Sequence, residues 1–189
     1  AVLVFDGAMS QPVVSVNGKE AGRWAYGYNA FRIDITPFIQ FGKSNLIEVH
    51  LNNVEESSRW YPGGGLYRPV SVELYGNENF STWDTFVRTL KADKQEAEVE
   101  VNALLEGKTG KSGKTVIALL DEAGKKVAEQ IVTGANPEIK TTLKVANPQF
   151  WSPESPYLYQ VKLTRYEGKK VADVQTLKTG IRTIAVSKN

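Results

Sequence analysis

The chain has 189 residues, with 23 Lys and Arg against 21 Asp and Glu, no cysteine and a single histidine, His50. Hydrophobic residues make up 41% and charged residues 23%, which is typical of a globular protein and excludes a disordered one. The net charge of +2 is too small for a nucleic-acid-binding surface, and no apolar run approaches the roughly 18 residues of a membrane span. The lack of cysteine excludes disulfides, zinc–cysteine sites and thiol nucleophiles within this chain.

The composition changes near residue 79. Residues 1–79 carry 6 basic and 8 acidic residues, whereas residues 80–189 carry 17 basic and 13 acidic residues. The shorter first part nevertheless contains 11 of the 19 aromatic residues. The polar, turn-forming sequence Gly76 to Asn79 lies at this change. We therefore predict two domains, 1–78 and 79–189.

Both parts show the alternation of apolar and polar residues that predicts β-strands. In the first part the alternating runs are residues 31–35, 47–51 and 70–74, and each is expected to place one apolar face on a core. Asn17-Gly18 lies between two further strand-like runs and is a strong hairpin signal, because both residues tolerate a positive φ.

The second part repeats this pattern. Apolar residues at every second position from 97 to 105 alternate with the polar residues 96, 98, 100 and 102, and turn sequences at 121–124 and 167–168 join the later runs. About seven strands are expected in residues 84–186, close to the number in a constant-type immunoglobulin-like sandwich. The predicted fold class is all-β, with two β-sandwiches in tandem and no long helix.

Several residues of types that catalyse reactions elsewhere have a simpler explanation here. His50 lies on the polar face of a predicted strand with no G-x-S-x-G sequence in the chain, so a surface position is favoured over a catalytic triad. Glu55 and Glu56 are adjacent in one loop, whereas glycoside hydrolysis needs two carboxyl groups about 5–10 Å apart across a sugar. Asn77-Glu78 lies in the polar junction between the predicted sandwiches.

A loop rich in aromatic residues is the most informative segment. Arg59, Trp60 and Tyr61 precede a Pro-Gly-Gly-Gly run, and Tyr67-Arg68 follows it. The glycines lack the Lys-Ser/Thr pair and the helix of a phosphate-binding loop. Aromatic faces beside fixed polar groups suit sugar rings, whose C–H faces stack and whose hydroxyls form hydrogen bonds. Packing of Trp60 and Tyr61 on the end of the core is an equally open alternative.

A second aromatic loop covers residues 150–159, Phe-Trp-Ser-Pro-Glu-Ser-Pro-Tyr-Leu-Tyr. Its two prolines predict a rigid segment without ladder hydrogen bonds, which leads into the following strand. Trp151 and Tyr157 are expected to fix this loop to a core or to a neighbouring domain.

Four segments, in order along nearly the whole chain, resemble glycoside hydrolase family 2, which contains β-galactosidases, β-glucuronidases and β-mannosidases. Residues 5–19 are similar to the FEG…V-x-V-NG stretch of its sugar-binding jelly roll, and residues 27–36 to its GGYTPF…DIT segment. Residues 59–68 resemble its W-x-P-G-x-x-Y-R loop, in a form that leans toward the bacterial β-galactosidases. Residues 151–159 with 180–182 are similar to the exit of its immunoglobulin-like domain.

The resemblance implies part of the jelly roll followed by an immunoglobulin-like sandwich. In the family a (β/α)₈ barrel follows and supplies both catalytic glutamates, so we expect hydrolysis of terminal β-galactosides by a parent enzyme. No catalytic residue, metal site or cofactor is expected in this chain. The jelly roll of the family lends a loop to the rim of the catalytic pocket, which implies substrate binding by Arg59 and Trp60. The second sandwich is expected to space the jelly roll from the barrel.

Two alternatives stay open. One is a free-standing carbohydrate-binding or adhesin-like pair of sandwiches, and the other is a purely structural interaction domain. The expected partners are a carbohydrate, the catalytic barrel and another copy of the chain, with no nucleic acid and no membrane. Cytoplasm and periplasm are both compatible with the lack of cysteine.

The chain is expected to start within the jelly roll, without its opening strands. Such a domain leaves open β edges and uncovered apolar faces. We therefore expect residues 1–76 to be paired with another copy or poorly ordered.

Overall fold

The computed structural model describes residues 1–54, 63–107 and 113–185. The chain forms two compact units, Ala1–Leu74 and Tyr75–Asn189. Every regular element within the described residues is a β-strand. None of the described segments forms a helix long and apolar enough to cross a membrane. The predicted class, all-β with two tandem sandwiches, is confirmed.

The described residues of the first unit form six strands in two three-stranded antiparallel sheets. The strands are β1 (Val2–Phe5), β2 (Val13–Val16), β3 (Lys19–Arg23), β4 (Phe31–Asp34), β5 (Ile47–His50) and β6 (Val70–Glu73). One sheet has the order β4-β1-β6 and the other the order β3-β2-β5. Both sheets contribute to one buried core, which includes Leu3, Phe5, Val14, Val16, Phe31 and Ile33.

The turn predicted at Asn17-Gly18 joins β2 to β3. The backbone φ is 52° at Asn17 and 77° at Gly18, in the left-handed region that the tightest hairpin turns require. The Asn17 side chain donates from Nδ2 to the Phe38 carbonyl at 2.9 Å and accepts from the Leu46 amide at 3.0 Å. The turn is therefore tied to the segment that leads into β5.

The apolar row of β6 differs from the expectation. Val70, Val72 and Leu74 are 40%, 50% and 74% exposed, whereas the equivalent residues of β4, Phe31 and Ile33, are buried as predicted. Among the described strands β6 pairs with β1 alone, and its apolar face is open to solvent in the part of the chain that the structure describes. The prediction that the run at residues 70–74 lies on the core is therefore wrong. Pairing of this unit with another copy stays a prediction.

Where the structure describes it, the second unit forms eight strands around a second core. They are β7 (Glu78–Phe80), β8 (Phe86–Ala92), β9 (Glu96–Gly107), β10 (Gly113–Leu120), β11 (Lys126–Gly134), β12 (Glu138–Ala146), β13 (Tyr159–Glu167) and β14 (Lys170–Thr179). One sheet has the order β11-β10-β13-β14, and in the other β9 pairs with β12, β7 and β8. The expected seven strands in residues 84–186 correspond to β8 through β14.

The core of the second unit follows the predicted alternation. The inward-facing apolar side chains of β9 are buried: Ala97, Val99, Val101, Ala103 and Leu105. They meet buried residues from the other sheet, Ile117, Leu119, Val161 and Leu163. The predicted turns are present, with φ values of 79° at Gly124 and 58° at Gly168.

Strand β7 ties the two sheets of the second unit together. It pairs with β9, and its Glu78 carboxylate binds Arg165 of β13, with Nε–Oε2 and Nη2–Oε1 distances of 2.7 and 3.2 Å. Both side chains are 3% exposed, and Arg165 also donates to Thr115 Oγ1 at 3.3 Å. The Phe80 amide donates to Asp173 of β14 at 2.8 Å. The division between the units thus precedes β7, whereas the boundary expected between residues 78 and 79 falls inside it.

Replacing Arg165 with Met leaves the Glu78 carboxylate buried without its partner. We expect the free energy of unfolding of the second unit, measured by urea denaturation, to fall by about 3–5 kcal/mol. Lys162→Met is the matched control, because Lys162 is exposed on the same strand, and should change stability by no more than about 0.5 kcal/mol. Adding Glu78→Leu to Arg165→Met should restore most of the loss. Equal stability of Arg165→Met and the control would contradict a structural role for the pair.

A second charged cluster lies on the outward face of β9. The Glu100 carboxylate accepts hydrogen bonds from Asn102 Nδ2 at 3.0 Å and Arg88 Nε at 2.8 Å, and lies 3.2 Å from Lys140 Nζ. Its side chain is only 6% exposed. The pKa of Glu100 is lowered to about 2, and the hydrogen bond from Asn102 is the largest cause and that from Arg88 the second largest. These neighbours therefore stabilise the ionised carboxylate in the folded protein.

The lowered pKa of Glu100 predicts a specific loss of stability in acid. Its contribution is complete above 4.5, the ordinary pKa of a glutamate, and is lost as the pH falls from there to about 2. Glu100→Gln should lower the urea midpoint at pH 7 and flatten the decrease of this midpoint between those two values. Glu154→Gln, at an exposed position in a turn, controls for the loss of one negative charge. If the urea midpoint of Glu100→Gln fell with pH as steeply as that of the unmodified chain, the lowered pKa of Glu100 would not be the source of the acid sensitivity.

Candidate functional site

The segments between the strands of the first unit meet at one end of its sheets. Met9 and Gly65 exchange two backbone hydrogen bonds of 3.0 and 3.1 Å. The Asn52 amide donates to the Ser10 carbonyl at 2.9 Å, and Ser10 Oγ donates to the Asn52 carbonyl at 2.7 Å. The segment after β1 therefore contacts both the segment that follows β5 and the segment that precedes β6.

Tyr67 joins two more of these segments. Its hydroxyl donates to the Gly27 carbonyl at 2.9 Å, and its ring lies against Gly7. A Cβ at Gly7 would be 2.7 Å from both Tyr67 Cζ and Oη, which is closer than real Cβ contacts. Only glycine at position 7 allows the ring to lie there.

Arg68 completes this arrangement, and we call the two residues the Tyr67–Arg68 clamp. Arg68 Nη1 donates to the carbonyls of Asp6 and Tyr28 at 3.3 and 3.4 Å, and the guanidinium carbon lies 5.2 Å from the centre of the Tyr67 ring. The sequence suggested this aromatic–basic pair as a surface for sugars. In the structure the Tyr67 hydroxyl and Arg68 Nη1 bind backbone carbonyls of the chain itself, which gives the pair a structural role.

The residues predicted to bind substrate, Arg59 and Trp60, lie outside the described residues, as do Glu55 and Glu56. The described residues on both sides of this segment are well held. On the N-terminal side of the segment, Asn52 forms a hydrogen bond with Ser10. On its C-terminal side, the Tyr67–Arg68 clamp fixes the chain. Substrate binding by Arg59 and Trp60 therefore remains a proposal.

His50 lies on the polar face of β5, as expected, and lines a pocket of about 560 Å³ in the first unit. The side chains of Trp24 and Asn52 line the same pocket. Neither Trp24 nor Asn52 was predicted from the sequence as a site residue. The hairpin at Asn17-Gly18 placed β3 beside β2, but nothing local predicted that β5 would pair with the other edge of β2.

Two further segments singled out in the sequence, Asn77-Glu78 and the aromatic loop at residues 150–159, have structural roles. Glu78 forms the buried ion pair with Arg165 rather than lying in a solvated junction. In the fourth segment the Trp151 amide donates to the Ile181 carbonyl at 3.0 Å, and the Arg182 guanidinium lies 4.5 Å from the centre of the Trp151 ring. Among the described residues, no group of three or more His, Cys, Asp or Glu is placed to hold a metal ion.

Comparison with known families assigns the chain. The profile described as "Glycosyl hydrolases family 2" matches residues 80–182, which is more than half of the length of this chain. The chain belongs to this family. The resemblance carried by the four sequence segments is therefore confirmed.

Relatives in family 2 match almost all of this chain. "Beta-galactosidase BoGH2A" of Bacteroides ovatus is 33% identical over 190 residues, covering 96% of this chain and 22% of that protein. A β-glucuronidase of Formosa agariphila is 28% identical over 204 residues, covering 93% of this chain and 21% of that protein. A crystal structure of a family 2 member from Bacteroides cellulosilyticus superposes with a TM-score of 0.87 at 35% identity. The match covers 97% of this chain and 26% of that one. This family 2 chain thus spans about a quarter or less of their length.

Gly7→Ala tests the clamp. The added methyl group overlaps the Tyr67 ring, so we expect the free energy of unfolding of the first unit to fall by about 1–3 kcal/mol in urea denaturation. Tyr67→Phe, which removes only the hydroxyl bonded to Gly27, should lower it by about 1 kcal/mol. Gly63→Ala is the matched control, because a Cβ there would meet no described atom within 4 Å. A Gly7→Ala variant as stable as the control would show that the ring does not need glycine beneath it.

Proposed function

We propose that this chain is part of a larger family 2 glycosidase whose catalytic groups lie in another domain. In this proposal the first unit lends residues 55–62, with Arg59 and Trp60, to the rim of the substrate pocket. The observation that carries the proposal is the fixation of both flanks of this segment, by Asn52 on one side and by the clamp on the other. The relatives named as glycosidases are several times longer than this chain.

Fixed flanks matter because a binding loop acts best when a rigid scaffold positions its ends. An indole ring offers a flat apolar face for the C–H side of a pyranose, and a guanidinium donates several hydrogen bonds in a fixed geometry. Trp60 and Arg59 supply these two groups side by side in the sequence. This pairing supports a role in sugar contact.

The proposed substrate is a terminal β-galactoside. This choice rests on the form of residues 59–68, which leans toward β-galactosidases. Named relatives include both a β-galactosidase and a β-glucuronidase, so the test compares these two sugars directly. We further propose that the second unit acts as a spacer, and its buried Glu78–Arg165 pair suits a rigid element.

The test uses the longer protein that contains this chain. Arg59→Ala and Trp60→Ala should each raise KM for an aryl β-galactoside and lower kcat/KM by roughly tenfold, the effect of losing about 1.4 kcal/mol of transition-state binding. Trp83→Ala is the control, because Trp83 is an exposed tryptophan of the second unit, and it should leave both constants unchanged. Hydrolysis of the galactoside should be faster than that of an aryl β-glucuronide.

Unchanged KM and kcat in both loop variants would exclude the contribution of this segment to the pocket. Faster hydrolysis of the glucuronide would replace the proposed substrate and leave the role of the loop intact. A full-length protein that binds saccharides but hydrolyses none would instead support a free-standing carbohydrate-binding protein.

A further inference from the structure

The pocket beside His50 is built from side chains that the proposed function does not use. Val13 of β2 pairs with Arg23 of β3 on one side and with His50 of β5 on the other. The three side chains therefore lie in one row on the same face of the sheet. Trp24, one residue after the end of β3, and Asn52, two residues after the end of β5, also line the pocket. We propose that this pocket binds a neutral pyranoside.

Trp24 provides the stacking surface. Its ring is nearly parallel to that of Phe31, with an interplanar angle of 8° and a centroid distance of 5.8 Å. Its backbone amide donates to the Pro12 carbonyl at 3.0 Å. Trp24 is nevertheless 41% exposed and lines the pocket. One face of the indole is thus fixed against the protein, and the remaining surface is available to the apolar face of a sugar.

The polar groups of the pocket suit hydroxyl groups, which both donate and accept. Asn52 Nδ2 donates to Gln11 Oε1 at 3.0 Å. This bond orients both amides and leaves Asn52 Oδ1 as an acceptor and Gln11 Nε2 as a donor, since neither atom has a partner among the described residues. The imidazole of His50 likewise makes no hydrogen bond to a described residue and adds a third polar group.

The charges of the pocket favour a neutral ligand. Arg23 is the only guanidinium among its described lining residues, and Glu20 binds it with Nε–Oε1 and Nη2–Oε2 distances of 2.9 Å each. The positive charge is therefore largely balanced before a ligand arrives. A volume of about 560 Å³ lies in the range of small-ligand pockets. These features fit an uncharged mono- or disaccharide better than a uronate or a phosphate.

The test is an NMR titration of the 189-residue chain with methyl β-D-galactopyranoside, with glucuronate as the charged comparison. We expect saturable shifts of the Trp24 indole N–H and of the Asn52 and Gln11 side-chain amides. His50→Ala should raise Kd about fivefold, the effect of one lost neutral hydrogen bond. Ala25→Trp, which fills the pocket at an exposed position, should abolish binding. Glu48→Ala is the matched control, because Glu48 is exposed on the same face of β5, two residues before His50.

Three results would overturn the proposal. The first is no saturable shift at Trp24 with the galactoside, and the second is equal affinity of the Ala25→Trp variant and the unmodified chain. The third is tighter binding of glucuronate than of the neutral sugar. Shifts confined to the Trp60 indole would also exclude this pocket while supporting the contribution of residues 55–62, so the two proposals fail separately.

Discussion

The first unit depends on the satisfaction of backbone carbonyls at the loop end of its sandwich. Segments outside a β-ladder must find other donors for their carbonyl groups. Tyr67 and Arg68 supply them to Asp6, Gly27 and Tyr28. One short stretch before β6 thereby holds the segment that follows β1 and the one that follows β3. The three sequence segments that resemble the family in this unit are the ones that the clamp brings together.

The second unit depends on a different constraint, a buried charge pair between its sheets. β7 belongs to the sheet of β9, but its Glu78 binds Arg165 of the opposite sheet. A buried pair of this kind contributes little net energy compared with apolar packing, but loss of either member is costly. Its main effect is therefore to specify the position of β7. The Glu100 cluster on the outward face also orders neighbouring strands, because Arg88 and Lys140 reach it from β8 and β12.

Local patterns in the sequence predicted most strands and turns, because alternation and the Asn17-Gly18 signal depend only on neighbouring residues. They failed at β6, whose apolar row at Val70 and Val72 is not covered by any layer of the described residues, since covering depends on elements distant in the sequence. The pocket at Trp24 was missed for the same reason. It forms only when β3 and β5 pair with opposite edges of β2. Tyr67-Arg68 was singled out correctly as unusual, but whether its groups face a ligand or the backbone is decided by tertiary contacts.

We propose that the first unit presents residues 55–62, between fixed flanks, to a carbohydrate held in a larger family 2 enzyme. The most direct measurement is a crystal structure of the longer protein with a bound thiogalactoside that is not hydrolysed. We expect the Arg59 guanidinium to lie within hydrogen-bonding distance of the sugar or the Trp60 ring to stack on it. A sugar contacted only by residues outside this chain, with residues 55–62 remote from it, would contradict this role of the first unit.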